Sequence, residues 1–295
     1  MNKWIAGARP RTLPAAIVPV LVGTACAVGD TGAGRGIVWW RAVAAMVAAI
    51  GIQVGTNYAN DYSDGKRGTD DPAQRVGPPR LVGWGLASAE SVRRAAIGSF
   101  AVAGVAGLAL AIAVSWWLLL VGVASFAAGW LYTGGPKPYG YAGLGEVFVF
   151  LFFGVVATVG STFVQTERIT ALAVGASIPV GFLATALLVT NNLRDIPSDS
   201  QAGKRTLAVR LGDHRTRLLY LFLMIGTFVA VPLVSGLGGR PLGAIALAAI
   251  LLAQKPVTHV LSGARGPALI PVLVATGRVQ LVFGVLFAAG LAISG

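Results

Sequence analysis

Long apolar stretches alternate with short polar ones along the whole chain. Val43–Ile52, Ala101–Ser115 and Leu281–Ile293 are examples. A membrane-spanning helix takes ~20 mostly apolar residues. The pattern predicts such helices at Thr12–Val28, Ile37–Asn57, Arg94–Val114, Trp116–Leu131, Gly143–Val164, Thr170–Leu193, Leu218–Val234, Leu242–Leu252 and Val279–Ile293. The end of the eighth is blurred by Pro256 and by the Gly- and Pro-containing stretch Ser262–Pro271. The fold class expected is an all-α, polytopic membrane bundle of about nine transmembrane helices, a single domain over residues 1–295.

Composition agrees with a lipid-facing surface. Only 12% of the residues are charged and 55% are hydrophobic, whereas a soluble domain carries about 25% charge. Forty glycines would weaken soluble helices, but small residues let membrane helices approach closely. The single cysteine, Cys26, lies in the first apolar segment, so neither an intramolecular disulfide nor a Cys/His metal site can form. That first segment follows Lys3, Arg9 and Arg11 and has no clear small-residue cleavage site, so it reads as a retained helix rather than a signal peptide.

The net charge of +12 matters less than where the charges fall. With a cytoplasmic N-terminus, 19 of the 23 Lys and Arg residues fall on the inner side, leaving Arg35, Arg41, Arg168 and Arg240 outside. This is the asymmetry of the positive-inside rule, and it argues for an odd number of spans and against a nucleic-acid surface. Trp39, Trp40, Trp116 and Trp117 fall at predicted outer ends and Trp4 and Trp130 at inner ones, as an interfacial belt requires. Nine of the 11 acids also fall inside. The charge rule does not predict this, because carboxylates contribute little to topology.

Two stretches concentrate those acids. Thr56–Asp71 and Thr190–Thr206 both read Thr-Asn-x-x-x-Asp, then a second Asp three or four residues on, then Gly-Lys-Arg. On a helix, the pairs Asp61/Asp64, Asn60/Asp64 and Asp195/Asp199 each share one face. Each stretch sits at the inner end of a predicted helix, so the two copies could form a repeat with the site at their interface. Four converging carboxylates repel one another unless cations hold them. Asn60, Asp61, Asp64, Asp195 and Asp199 offer hard oxygen ligands suited to Mg²⁺ shared with substrate phosphates. Lys66, Arg67, Lys204 and Arg205 could meet the remaining phosphate oxygens, which implies a diphosphate leaving group. Gly203-Lys-Arg-Thr206 is not a phosphate-binding P-loop, because Ser198 stands where the upstream glycine is required.

With these motifs the chain resembles the UbiA-type membrane prenyltransferase superfamily, and within it the menaquinone-pathway branch. The likeness extends to Ala8-Arg-Pro-Arg-Thr-Leu-Pro14, Asn60–Gly68, Tyr132-Thr-Gly-Gly-Pro136, Gly143-Leu-Gly-Glu146 and Asn191–Gly212, and so covers nearly the whole chain. The superfamily's first motif often ends in a third acid. Here Gly68 stands at that position and acids follow at Asp70 and Asp71.

The resemblance implies Mg²⁺-dependent transfer of a polyprenyl chain from its diphosphate to 1,4-dihydroxy-2-naphthoate, with loss of diphosphate and CO₂. The N-in charge pattern and the lack of a targeting peptide favour a multi-pass protein of a bacterial inner membrane with its site facing the cytoplasm. Arg9 and Arg11 become candidates for the naphthoate carboxylate or the diphosphate, beside ordinary charge anchoring. The superfamily's Tyr-x-x-x-Lys pattern falls on Tyr132 and Lys137, one residue longer and interrupted by Pro136, so Tyr132 could line the allylic cation and Lys137 could contact phosphate. Asn57 and Asn191, each four residues before an Asp, could support the substrate site or bond between helices. Glu146 could act in the site or simply complement a helix N-terminus. His214 and His259 receive no chemistry. Another aromatic acceptor such as 4-hydroxybenzoate remains the alternative. A secondary transporter is a more distant one, since its carboxylates would sit near mid-membrane rather than at one surface.

Overall fold

The computed structural model describes residues 2–30, 36–70, 77 and 79–295. Arg35, Arg75 and Asp71 lie outside the described residues. Ten helices follow in order: α1 (Lys3–Ala8), α2 (Pro14–Cys26), α3 (Trp39–Arg67), α4 (Ala89–Ala113), α5 (Trp117–Leu131), α6 (Gly145–Thr166), α7 (Ala171–Gln201), α8 (Leu207–Leu237), α9 (Pro241–Leu261) and α10 (Leu269–Ile293). Among the described residues there is no strand.

Seven of these, α3, α4 and α6 to α10, are long and apolar enough to cross a membrane. The apolar helices α2 and α5 are shorter, at 13 and 15 residues. Each of the nine segments expected from hydropathy overlaps one of these nine helices, with Thr12–Val28 running two residues past α2 at either end. The boundaries differ where polar residues continue a helix. α3 runs on past Asn57 to Arg67 and α7 past Leu193 to Gln201; Asn60, Asp64, Asp195 and Asp199 of these extensions line the interior cavity, while Lys66, Arg67, Ser200 and Gln201 at their ends are exposed. α8 begins at Leu207 rather than Leu218. Its charged opening is tied by Asp213 accepting from Arg217 one turn on, at 2.7 and 2.8 Å, and it bends at Gly212, whose φ of 75° a side chain would oppose.

The larger core lies where α2, α7, α8, α9 and α10 meet, around Val18, Val180, Leu183, Tyr220, Met224, Phe283 and Phe287. A smaller one joins α3 and α4 around Tyr58, Ala59, Val92 and Ala96. Glycines set the close approaches. A Cβ on Gly154 would come 2.6 Å from the Gly181 Cα, so α6 and α7 cross there almost backbone to backbone. α6 makes this crossing with a π-helical turn over Phe150–Val156. Thr162 ties α6 to α2 by donating to the Gly23 carbonyl at 2.7 Å. Outward-facing Val105, Ile112, Leu120, Val123, Phe222 and Leu251 are exposed, an apolar periphery suited to lipid.

Candidate active site

A cavity of about 480 Å³ runs through the bundle between α2, α3, α4, α5, α6 and α7. One end is polar, lined by Asn60, Asp64, Asn191, Asp195, Asp199 and Lys204. The other end is apolar, reaching Val20, Ala45, Leu110, Leu118 and Val164. Asp64 and Ala45 lie 19 residues apart on α3. At the α-helical rise this separates the two ends by ~28 Å, close to the hydrocarbon thickness of a bilayer.

The polar end is built from the last turns of α3 and α7 and the loops that follow α5 and α7. Asp64 accepts from the Tyr141 hydroxyl at 2.7 Å and from Lys204 Nζ at 3.1 Å. Asp195 is held by two nitrogens of the adjacent Arg194 guanidinium, Nε and Nη2, each at 2.7 Å. Arg194 also donates to Asn191 Oδ1 at 2.8 Å. Asn60 Oδ1 accepts from the Thr133 hydroxyl at 2.8 Å. Asp199 stands in the lining as well.

Asp61 differs from the rest. It is 1% exposed and does not line the cavity. Its carboxylate is taken by Arg9, by Arg80 at 2.9 Å and by the Leu81 backbone N–H at 3.1 Å. Asn57 belongs to the same clamp, donating to the Ala8 carbonyl at 2.9 Å while its own oxygen accepts from Arg9 at 3.4 Å.

The remaining expected phosphate ligands are dispersed. Lys66 is exposed and lies over the Tyr62 ring at 5.6 Å. Arg67 donates to the Thr133 and Gly135 carbonyls and crosses the Tyr141 ring at 5.4 Å. Lys137 and Arg205 are exposed, and none of these four lines the cavity. Arg9 and Arg11 both do. Residues that the sequence did not single out take part: Arg80, Arg194 and Tyr141. Arg194 stands beside Asp195 and could have been noticed, but Arg80 meets Asp61 across a loop and no spacing announces it.

Tyr132 begins an aromatic wall along the cavity. Its ring meets Tyr139 edge-on at 5.5 Å, Tyr139 stacks on Phe148 at 4.0 Å, and Phe148 stacks on Phe152 at 6.0 Å. Burial, and next the Glu146 carboxylate, push the Tyr132 phenol well above its ordinary value, so it stays neutral. Tyr141 is likewise raised, by burial and then by Asp64. For Lys204 burial works downward, but Asp64, Tyr141, Asp199 and Asp70 outweigh it, and the ammonium is held above its ordinary value. Glu146 is buried in the first turn of α6, accepting from Asn192 at 2.9 Å. Farther along, Gly107, Gly122 and Gly160 line the cavity from α4, α5 and α6, and a Cβ at any of them would meet nothing within 4 Å.

Residues 16–262 match the UbiA prenyltransferase family model. The chain belongs to the UbiA prenyltransferase family. A Mycobacterium tuberculosis member named 1,4-dihydroxy-2-naphthoate octaprenyltransferase is 48% identical over 98% of this chain and 97% of that protein. An Escherichia coli protein of the same name is 34% identical over 99% and 95%. Among solved UbiA structures, the apo form of a homologue from Aeropyrum pernix superposes with a TM-score of 0.69 at 15% identity, covering 96% of each chain. A homologue from Archaeoglobus fulgidus, described as bound to DMAPP and Mg²⁺, gives 0.62 at 15% identity over 99% of this chain and 100% of that one. These two likenesses establish the UbiA fold for the whole described chain.

Proposed function

We propose that this chain transfers a polyprenyl group from a polyprenyl diphosphate to 1,4-dihydroxy-2-naphthoate, releasing diphosphate and CO₂, the prenyl-transfer step of menaquinone biosynthesis. The observation that carries the chemistry is the single cavity that joins both aspartate motifs to a long apolar interior. The acceptor follows from the name that its full-length relatives share.

Each part of the substrate has a matching part of the cavity. The prenyl tail is hydrocarbon, and each CH₂ kept from water is worth ~0.8 kcal/mol, which suits the apolar end. The diphosphate belongs at the polar end. Among the described residues no three Asp, Glu, His or Cys side chains stand together closely enough to hold an ion alone. Magnesium, however, is commonly held by one or two carboxylates together with substrate phosphates. Asn60, Asp64, Asp195 and Asp199 supply that kind of oxygen donor to the cavity. Bound there, Mg²⁺ would neutralise the charge that develops on the departing diphosphate. Lys204 and Arg194, now on Asp64 and Asp195, are placed to shift onto phosphate oxygens. The metal role expected of Asp61 gives way to a positioning one, since its carboxylate faces Arg9 and Arg80 and, unlike those of Asp64 and Asp195, does not line the cavity.

As the allylic C–O bond breaks, the Tyr132–Phe152 wall offers π faces to the carbon cation and keeps water away. The neutral Tyr132 hydroxyl adds no competing nucleophilic phenolate. The electron-rich naphthoate ring then forms the new C–C bond, and loss of its carboxylate as CO₂ restores aromaticity. We read α2 and α5 as the two further membrane spans, giving nine. The basic excess at the motif end supports a cytoplasmic site and N-terminus, in a bacterial inner membrane.

The test is turnover in nanodiscs with a polyprenyl diphosphate, Mg²⁺ and 1,4-dihydroxy-2-naphthoate, following CO₂ and prenylated product. Asp64→Ala and Asp195→Ala should each lower kcat at least ~100-fold. Turnover with 4-hydroxybenzoate alone would overturn the acceptor. No turnover with any aromatic acceptor would return the transporter reading.

A further inference from the structure

We propose that Arg11 anchors the acceptor: its guanidinium takes the carboxylate of the aromatic acid, and the apolar walls beside it take the fused rings. The inference rests on the prenyl-transfer reading and adds to it the place where the second substrate sits.

The cations of the cavity single Arg11 out. Five line it among the described residues: Arg9, Arg11, Arg80, Arg194 and Lys204. Arg9 and Arg80 are paired with Asp61, Arg194 with Asp195 and Lys204 with Asp64. Arg11 makes no hydrogen bond or ion pair with any described residue, and it is exposed. A carboxylate arriving at any of the other four would have to displace an aspartate and would face that aspartate's repulsion. At Arg11 it displaces only water. Arg11 therefore discriminates between the two anionic substrates: diphosphate goes to the aspartate end, where metals can bridge it, and the lone carboxylate goes to the unpaired guanidinium.

The backbone explains why two arginines two residues apart diverge. Arg9 closes α1 in the left-handed region at φ 54°, ψ 66°, a conformation uncommon for a residue with a side chain. The chain reverses there into a 3₁₀ turn over Pro10–Thr12. Thr12 fixes the turn by donating to the Arg9 carbonyl at 2.9 Å, and its oxygen accepts from Gln53 at 3.0 Å and Asn57 at 3.3 Å. Arg9 is thereby sent back to Asp61 on α3, whereas Arg11, on the turn itself, stays exposed at the cavity. A Cβ on Gly277 would lie 3.2 Å from the Arg11 carbonyl, so the turn rests on α10.

The surface beside that turn suits a flat apolar ring system. Leu273 and Ile270, one and two turns before Gly277, line the cavity with Arg11. Leu273 packs against the buried cluster of Ala15, Ala184 and Leu187, as does Phe153 of α6. α10 contains no Asp or Glu, so this wall presents no like charge to an acid. A naphthoate has the matching form: two fused rings with one carboxylate at the edge. Exposure of Arg11 gives a water-borne acid an approach that does not cross the apolar end.

The test uses the full chain in nanodiscs, with steady-state kinetics and with equilibrium binding of two probes that cannot complete the reaction, 2-naphthoate and 2-naphthol. Arg11→Gln should raise KM for 1,4-dihydroxy-2-naphthoate about 10- to 100-fold, the range for losing a charge-assisted bond, with KM for the polyprenyl diphosphate within twofold. Wild type should bind 2-naphthoate more tightly than 2-naphthol, and the variant should bind the two alike. Arg11→Lys should recover part of the preference, because charge survives but the fork does not. A raised diphosphate KM with an unchanged acceptor KM would overturn the proposal, as would equal probe binding by wild type. Failure of wild type to prenylate the naphthoate would instead strike the function itself, while the probe measurements would still decide the role of Arg11.

Discussion

The two aspartate motifs read almost alike in sequence and are used differently in space. On α7, Asp195 faces the cavity and its cation is its own neighbour, Arg194. The corresponding Asp61 on α3 faces away, and its partners Arg9 and Arg80 come from the N-terminal turn and from the loop after α3. The second copy is thus locally self-contained, whereas the first stitches distant segments together. A repeated motif need not repeat its role: one aspartate can serve chemistry while its counterpart holds the vessel in shape.

Substitution should separate these roles, and the largest effect falls on Asp61. Removing it leaves Arg9 and Arg80 without their buried carboxylate. Breaking a buried pair costs about 3–5 kcal/mol, so Asp61→Ala should markedly lower the thermal midpoint in nanodiscs. Asp195→Ala strands one buried guanidinium, Arg194, where Asp61→Ala strands two, so it should lower the midpoint by less while abolishing turnover. If Asp61→Ala kept wild-type stability and lost only its Mg²⁺ response, the assignment would reverse and both copies would be metal ligands.

Lys204 sharpens the comparison through pH. It bridges the two copies by reaching from the loop after α7 to Asp64 on α3. Its folded pKa lies above the ordinary 10.5. The stability it contributes is therefore complete below that ordinary value and is lost as pH climbs through the higher folded one. Thermal stability should show an alkaline decline there, and Lys204→Gln should remove that part of the decline. The smallest effect belongs to Tyr141→Phe. It deletes one hydrogen bond to Asp64, worth ~0.5–1.5 kcal/mol, so kcat/KM should fall by about tenfold or less. With its phenol raised, Tyr141 should add no limb to the pH–rate profile near neutrality.

The fold was largely legible in the sequence because lipid imposes one rule on every segment: the exposed face must be apolar. That rule located nine helices, including the short α2 and α5. It failed at the C-terminal ends of α3 and α7 and at the start of α8, where helices continue through polar residues, some turned into the cavity or paired with one another and others exposed. The site was half legible. Spacing placed Asn60, Asp64, Asp195 and Asp199 on common helix faces, and all four line the cavity. Spacing could not show that Asp61 turns away, because that depends on Arg80, whose position follows from the path of a loop. Nor could it separate Arg9 from Arg11. A single left-handed residue between α1 and the following turn sends them in different directions.

The three bare positions on the cavity wall have a consequence of another kind. Gly107, Gly122 and Gly160 sit on three different helices, and at each a side chain would grow into empty space. The bore can therefore be narrowed one methyl at a time without moving any helix or touching the aspartates. Reaction and gauge are mechanically independent in this architecture. On the prenyl-transfer reading proposed above, single substitutions there would shorten the tail that fits while the aspartate end stays as it is.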